Sequence, residues 1–396
     1  MLDFDEARRQ ILASVVPLES ERIPLTAANG RVLAEDLHAH GPLPAFDYSA
    51  MDGYAVSTAD LGDTPACELP VSGECRAGSA RRTLPRGTAL RIFTGAPLPE
   101  GADSVVMQEN TSAQAGRVRL LELPSPGANV RRAGEDLAGG SLALARGTRL
   151  GPFQLGLAAA LDRDSLVVRR APRVTVAPSG DELREPGSPA LEGTIPESNG
   201  VALTALAAAA GAIARRGPRI PDQLEAAARL LAELAREADV LVTVGGVSVG
   251  DHDVVREALT RAGARIDFWK VAIKPGKPFT FGRLGGTTLL GLPGNPVSAQ
   301  ITFALFGLPL LRALQGESSA VPRSFRVVLA HSLRQKPGRL GIYRGRLDGH
   351  RVELDANQAS GATTSLAHAD CLVFVPKDVA ELAAGSELEA LRLREL

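Results

Sequence analysis

Apolar positions along the chain fall into three textures. Phe4, Ala7, Ile11, Leu12 and Val15 recur at helical spacing behind Asp3 and Glu6, which predicts an opening amphipathic helix over residues 3–16. From about Leu43 to Arg149 the apolar residues come in short runs (89–93, 104–108, 117–121, 141–145) broken by Gly and Pro, the pattern of small β modules. Beyond Arg173 the texture changes again. Segments 173–177, 239–244, 265–271 and 287–291 read as strands, and 199–214, 222–237, 253–262 and 296–314 as helices. Strand and helix alternating in this way predict a doubly wound α/β domain with a largely parallel sheet. From about Val321 short strands return (325–330, 351–354, 371–375), which predicts a separate small β domain.

The length supports that division, since 396 residues exceed what one hydrophobic core usually serves. The 44 basic and 45 acidic residues leave a net charge of −1, which argues against general affinity for nucleic acid or anionic lipid. The apolar stretches 201–214 and 301–311 fall short of a bilayer span, and the first ten residues lack a basic region followed by an apolar core. The chain therefore reads as soluble and cytoplasmic, with no nucleic-acid or membrane partner. Cys67, Cys75 and Cys371 form no CxxC pair and the six histidines form no HExxH, so a bound cation would use oxygen ligands.

In an open α/β sheet, ligands sit beyond the carboxyl ends of the strands, where loops lead into helices. Three loops there mix glycine with polar groups: Ser179-Gly180-Asp181-Glu182, the 245–253 segment containing Gly245, Gly246, Ser248, Gly250 and Asp253, and Pro293-Gly294-Asn295-Pro296 running on to Ser298. Three such loops in one domain favour an anionic ligand over ordinary turns. Only five of the basic residues are lysine, and Lys270, Lys274 and Lys277 lie within eight positions. Pro275-Gly276 suggests a type II turn holding two lysine Cα atoms within about 7 Å. At that distance a buried pair would repel by roughly 2 kcal/mol at an effective dielectric near 20, and would need an anion. If the strand runs on to the turn, Lys270 and Lys274 share a face. Asp181, Asp222 and Asp253 each stand where a helix N-cap is expected, whereas Glu182 does not. Carboxylates beside lysines also suit Mg²⁺ bridging to phosphate, because that ion takes one or two carboxylates plus ligand oxygens and water.

Pro44-Ala45-Phe46-Asp47-Tyr48 followed by Ser49-Ala50-Met51-Asp52-Gly53-Tyr54-Ala55, then the segment Thr94–Asp103, Gly134-Glu135-Asp136 and the loops above resemble the molybdopterin molybdenumtransferase (MoeA) family, which includes the E domain of gephyrin. The likeness runs in family order over nearly the whole chain, to Ser360-Gly361 and Ser365-Leu366. It implies an elongated four-part chain: domain I over 1–42 and 136–170, an inserted β domain II over 43–135, the α/β molybdopterin- and nucleotide-binding domain III over 171–316, and a β domain IV over 317–396. It implies a homodimer whose cleft joins domain III of one copy to the β modules of the other. It also implies magnesium- and molybdate-dependent conversion of adenylylated molybdopterin into molybdenum cofactor, with release of AMP. The upstream partner would be molybdopterin adenylyltransferase, and the downstream partners molybdoenzymes or cofactor carriers.

On this reading Glu182, Asp222 and Asp253 hold Mg²⁺ and an attacking water, Lys274 and Lys277 hold anionic oxygens, and Lys270 adds to their field. Asp52 and Thr94, with Arg131 and Asp136, reach the cleft from the β modules. The loops containing Ser179, Gly180, Asp181, Gly245, Gly246, Ser248, Gly250, Pro293, Gly294, Asn295, Pro296 and Ser298 cradle nucleotide and pterin. Two other readings compete: the sister adenylyltransferase, against which the N-terminal β modules count, and a scaffold role, for which no fused partner domain or long linker speaks.

Overall fold

Val240–Val244 is buried at every position, as a strand covered on both faces must be. It sits inside a six-stranded sheet in the order Ile213–Arg216, Arg173–Pro178, Val240–Val244, Thr287–Leu292, Pro278–Leu284, Arg265–Lys270. The first four strands run parallel, Pro278–Leu284 is reversed, and the edge strand Arg265–Lys270 again runs with the first four, so the expected doubly wound, largely parallel sheet carries one antiparallel strand next to its edge. The computed structural model describes residues 1–62, 67–246 and 254–395 of the chain.

One compact unit comprises residues 1–35, 146–151 and 165–396, and a second comprises 36–145 and 152–164. In the first, Leu224–Glu237 turns Ala227, Leu231 and Leu234 inward against Leu241, Leu289 and the Val254–Arg261 helix. The other face is covered by Asn199–Ala209 and by the continuous helical run Pro296–Leu314, which carries a π-helical turn at Phe303–Gly307. This run is long and apolar enough to cross a membrane, but 83% of its most apolar window is buried, and Phe306 stacks on Phe279 at 4.7 Å. Its apolarity is that of a core.

Asn199–Ala209 is shorter than the predicted 199–214. Gly211, at φ +85°, ends it in the left-handed conformation open to glycine, and Ile213–Arg216 becomes the edge strand. Pro278–Leu284, which the pattern reading omitted, forms a hairpin with Thr287–Leu292 through Gly285-Gly286.

The C-terminal segment closes a barrel. Leu340–Asp348, Arg351–Leu354, Phe325–Leu329, Glu387–Arg392 and Cys371–Val375 pair in turn, and the last returns to the first. Its core is Val327, Leu329, Val352, Cys371, Val373 and Ala390. In the second unit a six-stranded sheet runs Ser104–Met107, Gly53–Val56, Ala89–Ile92, Glu68–Cys75, Arg117–Leu120, Thr111–Gln114, which is the predicted β module.

Candidate functional site

The carboxyl ends of the central parallel strands open into a cleft of about 550 Å³. Arg173–Pro178 delivers Ser179, Gly180 and Glu182, Val240–Val244 delivers Gly245 and Gly246, and Thr287–Leu292 delivers Pro293, Gly294, Asn295 and Pro296. Asp222 joins them. The three predicted loops therefore meet in one place. Ser248, Gly250 and Asp253 lie outside the described residues.

The first loop does not precede a helix. It runs into the short strand Leu183–Arg184, so Asp181 caps nothing. Asp222 is no cap either, since Gln223 holds the cap position of Leu224–Glu237 and makes no side-chain capping bond. Gly180, at φ +127°, is where glycine is required. A Cβ there would fall 2.3 Å from Glu182 Oε2, because the Glu182 carboxylate folds back over this residue. Among the described residues that carboxylate has no hydrogen-bond or ion-pair partner, so it is free to take a ligand.

Burial raises the Asp222 carboxyl above its ordinary value, a hydrogen bond shared with Asp181 raises it further, and the charges of Asp181 and Glu182 act the same way against Arg219. Arg219, which pattern reading did not single out, donates to the carbonyls of Leu183 (3.1 Å) and Asp181 (3.3 Å) and lies 3.5 Å from Asp181 Oδ1. Like-charged carboxylates held together keep a proton or take a cation. No cluster of three or more metal-binding side chains occurs among the described residues, so these groups do not form a closed protein cage. Two carboxylates with room for ligand oxygens fit Mg²⁺, which binds in that way.

A pH dependence follows. Because the folded-state value of Asp222 is raised, keeping its proton favours the cation-free fold at low pH, and that advantage is lost as pH rises through the raised value. A cation competes for the same carboxylate. Magnesium affinity should therefore rise with pH across the window just above the ordinary aspartate range, and Asp222→Asn should flatten the profile. Calorimetric titration at several pH values measures this, and a flat wild-type profile would refute it.

A second cleft, of about 560 Å³, is lined by Lys274, Gly276, Lys277, Ser298, Arg339, Tyr343, Gln358 and Ser360. Pro278 lines both clefts. Several expectations about the lysines are corrected here. The strand Arg265–Lys270 ends at Lys270, and Ile273–Lys274 leaves the sheet to pair with Leu340 and Gly341 of the barrel. Even spacing thus sets no common face, and Lys270, half-buried, lines neither cleft. The predicted turn is not closed by a bond from Lys277 N to Lys274 O; Lys277 instead accepts from Val271 N at 3.1 Å through its carbonyl, although Gly276 has φ +101°. Lys274 and Lys277 are exposed, so water screens them and their repulsion does not itself demand an anion. Ser298, assigned from sequence to the nucleotide cradle, belongs to this lysine cleft. Arg339 adds a third cation that had no sequence signal, because only the barrel brings it here. Val297 N donates to Ser360 O at 3.0 Å, fastening the barrel loop to the helix start.

In the second unit, Asp52 Oδ1 accepts from Thr94 N and from Thr94 Oγ1, both at 2.8 Å. The backbone donor and then the hydroxyl hold the Asp52 carboxyl below its ordinary value. Two sites 42 residues apart are thereby joined. Arg131 and Asp136 are exposed, and Arg131 pairs with Glu135 at 2.7 Å rather than with Asp136.

The sequence pattern marks Asn199 only as a helix start, yet it lines the first cleft with Ser198. The run Glu197-Ser198-Asn199-Gly200 before an apolar helix is an N-terminal signature, and that signature hid its position at the site.

Three family models match the chain: the MoeA N-terminal region (domain I and II) over residues 2–161, a probable molybdopterin binding domain over 176–313, and the MoeA C-terminal region (domain IV) over 326–393. The chain is 40% identical over 400 residues to molybdopterin molybdenumtransferase 2 of Mycobacterium tuberculosis, covering 98% of this chain and 99% of that one. It is 36% identical over 394 residues to molybdopterin molybdenumtransferase of Haemophilus influenzae, covering 97% of each. The crystal structure of a molybdopterin biosynthesis MoeA protein from Pyrococcus horikoshii matches with a TM-score of 0.87 at 26% identity, covering 99% of this chain and 100% of that one.

Proposed function

The chain belongs to the MoeA family of molybdopterin molybdenumtransferases, a transferase family of molybdenum cofactor biosynthesis, and from that membership we propose that it inserts molybdate into adenylylated molybdopterin with magnesium and releases AMP. The observation that carries the finer reading is the meeting of two unlike clefts at Pro278. One holds the carboxylates Glu182 and Asp222 among glycine loops, and the other holds Lys274, Lys277 and Arg339. The first suits a cation and phosphate, the second an oxyanion substrate.

Glu182 and Asp222 would hold the magnesium ion. When bound, that ion supplies charge neutralisation at the phosphoanhydride and polarisation of a bound water. Glu182 orients the attacking water and takes its proton, while the water oxygen bonds to the pterin-side phosphorus and AMP leaves with the electron pair of the broken anhydride bond. Lys274 and Lys277 hold molybdate at the neighbouring cleft. Gly245, Gly246 and the helix start at Pro296 present close backbone to phosphate oxygens.

A homodimer fits the helix Pro152–Ala160, an apolar segment with Phe153 89% exposed, since an exposed apolar face of that kind is usually covered by a partner. A cytoplasmic location, supply of substrate by molybdopterin adenylyltransferase, and delivery of product to molybdoenzymes or cofactor carriers complete the reading.

Incubation with adenylylated molybdopterin, Mg²⁺ and molybdate, scoring AMP, tests it, and AMP release indifferent to molybdate would count against it. Lys274→Ala and Lys277→Ala should each raise the molybdate concentration needed for half-maximal rate about tenfold, the loss of one charged hydrogen bond of about 1.5 kcal/mol. Both lysines are exposed, so the melting temperature should stay near that of the wild type.

A further inference from the structure

We propose that Asn199 recognises the heterocyclic ring of the ligand in the acidic cleft by accepting a hydrogen bond from a ring amine. The inference rests on the reading of that cleft as the place of adenylylated molybdopterin.

Asn199 opens the helix Asn199–Ala209 and is 8% exposed. Its Nδ2 donates to the carbonyl of Gly294 at 2.8 Å. A carbonyl oxygen only accepts, so this bond settles which end of the amide is nitrogen. The other end, Oδ1, is buried and has no hydrogen-bond partner among the described residues. Leaving a buried acceptor unmatched is costly to a fold. The adjacent helix-start donor, Gly200 N, cannot relieve it, because Glu197 Oε1 already takes that hydrogen at 2.6 Å. Asn199 lines the cleft together with Ser179, Gly180, Gly245 and Gly294. The unmatched acceptor is therefore a recognition element that a ligand completes.

Its chemistry selects the ligand group. An amide oxygen repels phosphate and molybdate oxygens, so the phosphates lie elsewhere in the cleft and an N–H edge comes here. Both rings of adenylylated molybdopterin carry such an edge: the 2-amino group of the pterin and the 6-amino group of adenine. A site built around a hydrogen bond rejects the analogue that lacks the donor far more strongly than an apolar pocket would.

Calorimetric titration of the full chain with two ligand pairs tests the assignment: AMP against purine riboside 5′-monophosphate, which carries hydrogen in place of the 6-amino group, and pterin against its 2-deamino analogue. In one pair the amine-bearing member should bind at least about tenfold more tightly to the wild type. Asn199→Leu should abolish that preference, and the pair that responds identifies the ring. Equal affinities within both pairs overturn the inference and leave the cleft reading standing, as does a preference that survives in Asn199→Leu. Failure of the wild type to bind either AMP or pterin overturns both. The wild-type comparison needs no variant, so it holds even if Asn199→Leu does not fold.

Discussion

Glu182→Gln should leave a folded protein that binds adenylylated molybdopterin and releases AMP at least about 10²-fold more slowly, within the range for loss of a positioned acid–base group. The substitution keeps shape and removes charge. Glu182 is exposed and its carboxylate has no partner among the described residues, so nothing in the fold depends on that charge. Its loss should even ease the crowding that raises Asp222, bringing that carboxyl back toward its ordinary value. The melting temperature should therefore stay level or rise slightly while turnover collapses. Excess Mg²⁺ should recover part of the rate if the carboxylate acts through the cation, and none of it if the carboxylate acts only on water. Single-turnover measurement of AMP at limiting and saturating Mg²⁺ separates these outcomes. Wild-type turnover at limiting Mg²⁺ would remove Glu182 from the site.

How much of this was legible in advance depended on the range over which each feature is determined. Val240–Val244 and Leu224–Glu237 could be read because strand burial and helix amphipathy are periodic in a few residues. Asn199–Ala209 was overrun because the alanines continue the helical pattern up to Gly211, and only the positive φ there stops it. The lysines show the opposite limit. Lys274 and Lys277 were found from their spacing, but the direction of Lys274 is set by pairing with Gly341, 67 positions away. Arg339 enters the same cleft by the same pairing and carries no local signal. The acidic site was legible residue by residue, since Glu182 and Asp222 stood beside loops that could be named. What stayed hidden was that Asp181 and Asp222 face each other rather than cap helices, because a capping sequence and a ligand-holding sequence use the same side chains.

The second large effect concerns Gly53, beside Asp52 in the second unit. Gly53–Val56 is flanked by Ser104–Met107 on one side and Ala89–Ile92 on the other, with Gly53 opposite Met107 and Ile92. A Cβ at this position would fall 1.9 Å from Val106 O and 2.8 Å from Val106 C. Those atoms are backbone of a paired strand, so no side chain can swing aside, and relief requires the strands to separate. Gly53→Ala should cost about 3 kcal/mol, at the upper end for overpacking, or a drop on the order of 10 °C in the melting of this unit. Gly41→Ala in the same unit meets nothing within 4 Å and should be nearly silent, which makes it the matched control. The damage should extend to Asp52. Its carbonyl accepts from Gln108 N at 3.0 Å, just beyond the strand that must move, and its carboxylate depends on Thr94. Hydrogen exchange at the Thr94 amide reads that bond directly and should speed up in Gly53→Ala but not in Gly41→Ala. Equal melting of the two variants would mean that the paired strands yield more easily than close-packed backbone does, and that the glycine beside Asp52 answers to something other than space.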